Sequence, residues 1–130
     1  MDDKTQSRKR VLIVDDEPEI GRILATILRA AGFDAAAVNG GRAALARLAE
    51  APADLIILDV VMPAPDGFEI LRRLREAPAT ARLPVIMLTA NADDAGRARA
   101  TELGADDFIA KPFEAADTVA RVRALLSRVA

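Results

Sequence analysis

The stretch Arg10-Val11-Leu12-Ile13-Val14-Asp15-Asp16 decides how this 130-residue chain is read. Four apolar residues in a row stop on two acids. The arrangement recurs: Leu55-Ile56-Ile57-Leu58 stops on Asp59, Val85-Ile86-Met87-Leu88 stops on Thr89, and the shorter Phe108-Ile109-Ala110 stops on Lys111-Pro112. Short continuous apolar runs bounded by polar or turn residues mark strands buried on both faces of a parallel sheet. Segments with helical periodicity separate them, so the chain alternates strand and helix. In an open α/β sheet the ligand crevice lies beyond the carboxyl ends of the strands. Three carboxylates, a hydroxyl and an ammonium therefore gather on one sheet edge. Burial alone does not require that coincidence.

Between the runs, Pro18 opens a helix whose apolar stripe is Ile20, Ile23, Leu24, Ile27, Leu28 and Ala31, closed by Gly32. A second strand over 34–38 is mostly alanine, a composition that suits a sheet edge. A short helix carries Ala44, Leu45 and Leu48. Met62-Pro63-Ala64-Pro65-Asp66-Gly67 reads as a loop, because two prolines and an Asp-Gly pair continue neither helix nor strand. The next helix carries Phe68, Leu71 and Leu74, and a strand follows over about 83–88. The helix over about 93–103 contains Gly96 and mainly alanines, so it is expected to pack least firmly. The last helix, about 114–129, places Ala115, Val119, Val122, Leu126 and Val129 on one face. Residues 1–9 read as a flexible polar tail and 10–130 as one domain.

The composition, 52% hydrophobic and 29% charged, is that of a globular domain rather than a disordered chain. The apolar runs are too short to cross a bilayer, so no membrane partner is expected and a cytoplasmic setting is the default. Without cysteine or histidine, Ser–His and Cys–His nucleophile pairs and thiolate metal sites are excluded. A net charge of −2 shows no general footprint for direct nucleic-acid binding.

Crowded carboxylates such as Asp15, Asp16 and Asp59 repel one another unless a cation neutralises them. All-oxygen donors point to a hard ion such as Mg²⁺. A metal with the Lys111 ammonium and the Thr89 hydroxyl suits a phosphoryl group, whose charge is spread over three oxygens. A carboxylate can itself be the nucleophile and form an acyl phosphate.

Asp15-Asp16, then Leu58-Asp59-Val60-Val61-Met62-Pro63, then Leu88-Thr89-Ala90, then Ala110-Lys111-Pro112-Phe113, in that order over about residues 10–128, resembles the receiver domain of bacterial two-component response regulators. The resemblance implies a flavodoxin-like (βα)5 doubly wound parallel sheet with strand order 2-1-3-4-5. It implies that Asp59 accepts a phosphoryl group from a sensor histidine kinase, a phosphotransfer protein or a small phosphodonor. It makes Asp16, Asp59 and the Val61 carbonyl metal ligands, with Asp15 acting through water. Lys111 then pairs with the phosphoryl group and Thr89 moves to bond it. Phe108 stands where the family has a mobile aromatic, usually tyrosine, and Pro65 replaces the usual methionine. The result is a switch that reshapes the face of the fourth helix, fifth strand and fifth helix.

Arg97, Asp106, Asp107, Asp117, Arg121 and Arg128 are by default a solvated charged face. They also resemble the positions that make cross-subunit ion pairs in the winged-helix DNA-binding class of these regulators. The expected pairs across a two-fold axis are Arg97 with Asp117, Asp107 with Arg121 and Asp106 with Arg128, giving a phosphorylation-dependent homodimer. Two other readings are a degenerate receiver-like interaction module and a Mg²⁺-dependent aspartyl phosphatase. The phosphatase needs a second acid soon after its nucleophile, and Val60, Val61 and Met62 supply none. Asp15 and Asp16 could also simply cap the first helix.

Overall fold

In the computed structural model residues 8–90 and 94–128 are described. Most of the expected N-terminal tail lies outside them, as do Asp93 and Val129 at the expected ends of two helices. The elements are β1 (Arg10–Val14), α1 (Pro18–Ala30), β2 (Asp34–Val38), α2 (Gly41–Glu50), β3 (Leu55–Asp59), α3 (Gly67–Glu76), β4 (Val85–Thr89), α4 (Asp94–Glu102), β5 (Asp107–Ala110) and α5 (Ala115–Arg128). The five strands form one parallel sheet in the order β2-β1-β3-β4-β5. The expected flavodoxin-like order is therefore present, and alanine-rich β2 takes an edge.

Alternate side chains of each strand enter opposite layers. Val11, Ile13, Leu55, Ile57, Ile86 and Leu88 meet Leu24 and Leu28 of α1 and Val122 and Leu126 of α5. Leu12, Val14, Ile56, Leu58, Val85 and Met87 meet Ala44 of α2, Ile70, Leu71 and Leu74 of α3 and Ala100 of α4. Burial on both faces explains why the three central strands are apolar without alternation. The helix faces differ from expectation at a few places. Ile23 is 49% exposed and Ala115 is exposed, while Thr118 and Leu125, outside the expected stripe, are buried. Here the sheet's position, rather than ideal helical periodicity, selects which residues are covered. β4 starts at Val85, after Pro84, whose carbonyl accepts from Ile56 N.

Two features bear on the output face. Among the described side chains of α4, Ala100 alone is buried, as its alanine-rich sequence predicts. The opposite end of that segment is tied down. The Arg75 guanidinium donates to the Gly104 carbonyl at 2.8 and 3.1 Å and to the Leu83 carbonyl at 2.7 Å. Gly104, at φ +103°, turns the chain there, as a glycine does with no steric cost.

Candidate functional site

The parallel register brings the strand ends level: Val14 lies opposite Leu58, Asp59 opposite Leu88, and Thr89 opposite Ala110. The next residues therefore emerge together. Asp15, Asp59 and Thr89 are all buried. Lys111 reaches in from the β5 end, its backbone N–H donating to the Thr89 carbonyl at 2.8 Å.

The ammonium of Lys111 organises the centre. It lies 3.0 Å from Asp15 Oδ2, 3.5 Å from Asp59 Oδ1 and 3.6 Å from Glu17 Oε1. Burial alone would lower its pKa, but the Asp15 hydrogen bond and the negative charges of Asp59, Asp15 and Glu17 outweigh that and raise it. Asp59 behaves oppositely. Burial, then the neighbouring Asp15 charge, push its carboxyl up from 3.8 to about 7, against the pull of Lys111 and of the Val61 N–H, which donates to Asp59 Oδ1 at 3.4 Å.

These groups also test the fit of a cation. Two buried carboxylates share one ammonium, so the centre is short of positive charge. Asp15 Oδ2 is buried and, beyond its ion-pair contact with Lys111, has no hydrogen bond of good geometry. Asp15, Asp16 and Glu17 offer carboxylate oxygens that all lie within 4.8 Å of one another, and Asp16 and Glu17 are exposed. An all-oxygen cluster with an under-coordinated buried oxygen fits a hard divalent ion. Neither Asp15 nor Asp16 is the N-cap of α1. The N-cap of α1 is Glu17, which makes no side-chain cap, although Asp15 Oδ1 accepts from Glu17 N at 2.9 Å.

Residues 11–123 match the family model described as the response regulator receiver domain. The chain belongs to the response regulator receiver family. The receiver is 44% identical over 120 residues to the transcriptional regulatory protein GltR of Pseudomonas aeruginosa, covering 92% of this chain and 50% of that protein. It superposes on the Vibrio cholerae chemotaxis protein CheY4 with a TM-score of 0.88 at 29% identity, covering 92% of this chain and 99% of the other. It superposes on the signal receiver domain of a histidine kinase from Syntrophus aciditrophicus with a TM-score of 0.85 at 40% identity, covering 93% and 92%. The receiver spans about half the length of the curated relatives it matches. Receiver domains are phosphorylation-controlled switches that bind Mg²⁺ at an acidic cluster, and this chain has an acidic cluster at Asp15-Asp16-Glu17.

The structure brings most of the expected set together. Asp15, Asp59 and Lys111 touch, Thr89 is on the adjoining strand end, and Asp16 sits at the rim. Val61 is 69% exposed beside Asp59. Phe108 and Thr89 line the same cavity of about 20 Å³, with Val60, Phe68, Gly96 and Arg97. Within the chain, several members of the charged set have partners. Arg121 pairs with Asp107 of the neighbouring β5 at 2.9 Å and with Asp117, one turn earlier on α5 itself, at 3.0 Å. Asp106 pairs with Arg75 at 3.2 Å and accepts from Val85 N at 2.8 Å. Arg97 lies over the Phe108 ring, 5.2 Å from its centroid.

Two site residues were not legible beforehand. Glu17 carries no motif of its own, yet it reaches Lys111 at 3.6 Å. Gly67 reads as half of a turn pair, yet a Cβ built there would stand 2.2 Å from the Asp59 carbonyl oxygen and 2.8 Å from Val60 Cα. Its N–H donates to the Val60 carbonyl at 3.1 Å, which folds the loop after Asp59 back onto β3.

Proposed function

We propose that residues 10–130 form a phosphoacceptor receiver in a cytoplasmic signalling pathway. Asp59 is the acceptor, and a sensor histidine kinase, a phosphotransfer protein or a small acyl phosphate is the donor. The observation that carries this reading is the Lys111 ammonium bridging two buried carboxylates at the carboxyl edge of the sheet. An Asp59 carboxylate oxygen attacks phosphorus. The bond from phosphorus to the donor nitrogen or oxygen breaks, its electron pair leaves with the donor, and a mixed anhydride remains on Asp59. Asp16, Asp59 and the Val61 carbonyl would hold Mg²⁺, with Asp15 one water removed. The ion when bound would supply the positive charge that the crowded acids and the phosphoryl oxygens need. Lys111 would leave its contact with Asp59 to pair with the phosphoryl group, and Thr89 would donate its hydroxyl to it.

On this reading the chain catalyses only its own phosphorylation and dephosphorylation. Mass spectrometry after acetyl phosphate and Mg²⁺ tests it. A lasting gain of about one phosphoryl group, confined to Asp59, is expected. Turnover of phosphate esters would support an aspartyl phosphatase instead, and no mass gain would support the degenerate interaction module. Lys111→Ala should keep the fold at a cost in stability, because it leaves Asp15 and Asp59 buried without the cation they share. It should cut the phosphorylation-dependent response at least ten-fold, as loss of a positioned charge commonly does. An unchanged response, read as the change in backbone amide NMR shifts on adding beryllofluoride, would remove Lys111 from the mechanism.

The α4–β5–α5 face is the proposed output. We read it as a homodimer surface that phosphorylation strengthens, and this domain itself as making no nucleic-acid contact. Arg97, Asp106, Asp107, Asp117, Arg121 and Arg128 lie there, and the Arg121 pairs with Asp107 and Asp117 are exposed enough to be exchanged for pairs across a dimer at little cost. Sedimentation of the beryllofluoride-treated protein should show a dimer that Arg121→Glu weakens by ten-fold or more. A strict monomer, or a dimer indifferent to that reversal, would remove this face from the output.

A further inference from the structure

Phe108 raises a question that the phosphorylation chemistry leaves open. Without a hydroxyl, its ring has no hydrogen bond to hold it in either orientation. It is half-buried on β5 opposite Met87 and packs at the edge of the layer beneath α4. The cavity it shares with Thr89 has only about 20 Å³, far less than an aromatic ring occupies. The ring therefore cannot turn inward while α4 keeps its place. What holds the present arrangement is visible in the structure. The Arg97 guanidinium, on α4, stands over the ring at 5.2 Å, within the range where a cation is attracted to an aromatic face. Besides this contact, α4 is held by Arg99, whose guanidinium lies 4.4 Å from the centre of the Phe68 ring, and by Ala100, its only buried side chain among those described. Its far end is held by the Arg75 fork on Gly104.

We propose that Arg97 is a positioning residue for the switch: its cation–π contact with Phe108 joins α4 to β5 in the resting state. The proposal rests on the phosphoacceptor reading above. A contact of this kind shifts a two-state equilibrium by roughly two- to five-fold. Because Arg97 rides on α4 and Phe108 on β5, displacement of the helix and release of the ring are one event. The same release frees Arg97 for an acid on a second copy, so one guanidinium serves the resting contact and the dimer contact in turn. The physical consequence is that a ring without a hydroxyl is held in the resting state by a positive charge over its face.

The test uses the whole chain labelled with 4-fluorophenylalanine, at concentrations where it is monomeric and without phosphodonor. The ¹⁹F signal of Phe108 is identified by its absence in Phe108→Leu. Beryllofluoride should move that signal in the wild type. Arg97→Ala alone should move it part of the way in the same direction, and Arg97→Lys, which keeps a cation, should bring it back toward the resting position. The rate of phosphorylation by acetyl phosphate should rise two- to five-fold in Arg97→Ala, and that gain should vanish in the Phe108→Leu background. A Phe108 signal that ignores Arg97→Ala or moves away from the beryllofluoride position, or a rate gain equal in both backgrounds, overturns the proposal. Failure of the wild type to take up phosphate would instead defeat the phosphoacceptor reading, while the ¹⁹F comparison of the unphosphorylated variants would still report whether Arg97 positions the ring.

Discussion

Asp59→Asn should take up no phosphate from acetyl phosphate, and in metal-free buffer its fold should be more stable than the wild type at neutral pH. The first effect follows because an amide is not a usable nucleophile in this chemistry. The second follows from the raised carboxyl pKa, about 7 in the fold against an ordinary 3.8. The sign is set by which form the fold prefers. A raised pKa for an acid means that the folded chain favours the neutral form, so the carboxyl imposes no penalty below pH about 4. The penalty grows as pH rises from there and is complete above about 7. Asparagine is neutral throughout and has no such penalty. The stability advantage of Asp59→Asn should therefore be small at pH about 4 and reach on the order of 2–4 kcal/mol above pH about 7. Added Mg²⁺ should narrow the gap by stabilising the wild type. Urea unfolding at the two pH values, with and without Mg²⁺, measures it. Equal stability of the two proteins at high pH would mean that Asp59 is not strained by its neighbours.

Gly67→Ala should cost about 2–3 kcal/mol of stability, the scale of forcing one extra carbon into a packed interior. It should also slow phosphorylation. The new Cβ would sit 2.2 Å from the Asp59 carbonyl oxygen, and the atoms it meets are backbone, which cannot rotate away as a side chain can. Relief requires α3 to draw back from β3 or the loop after Asp59 to swing out. Either movement displaces the Val61 N–H that donates to Asp59 Oδ1. Urea denaturation and acetyl phosphate labelling together check the prediction. Wild-type stability with wild-type labelling would show that the loop can yield freely.

Much of the molecule is readable from local pattern. Each apolar run ends on a residue that the structure places at the carboxyl edge of the sheet, because a parallel sheet delivers its strand ends to one edge whatever its details. Asp15, Asp16, Asp59, Thr89 and Lys111 were legible for that reason. The alanine-rich β2 announced an edge, and α4 announced its loose seating through Gly96 and its lack of large apolar residues. Helix faces were read less well. Ile23 satisfies helical periodicity but projects past the sheet, whereas Leu125 and Thr118 fall beneath it, and periodicity cannot say how wide the covering layer is.

The sequence by itself determined the βα alternation, the strand order through the likeness of its four motifs, and the inventory of acids, hydroxyl and ammonium at one edge. Those properties follow from chain-local chemistry: burial pattern, turn residues and the direction in which a strand runs. Only the tertiary structure decided how that inventory is shared out. It placed Lys111 between Asp15 and Asp59, added Glu17 to the acids, and set Gly67 against the Asp59 backbone. It gave Arg121 a partner in Asp107 and Asp106 a partner in Arg75 within the chain, and put Arg97 over Phe108. The physical reason is distance in three dimensions. Electrostatic and packing energies fall off within a few ångströms, and spacing along a chain does not say which side chains end up that close.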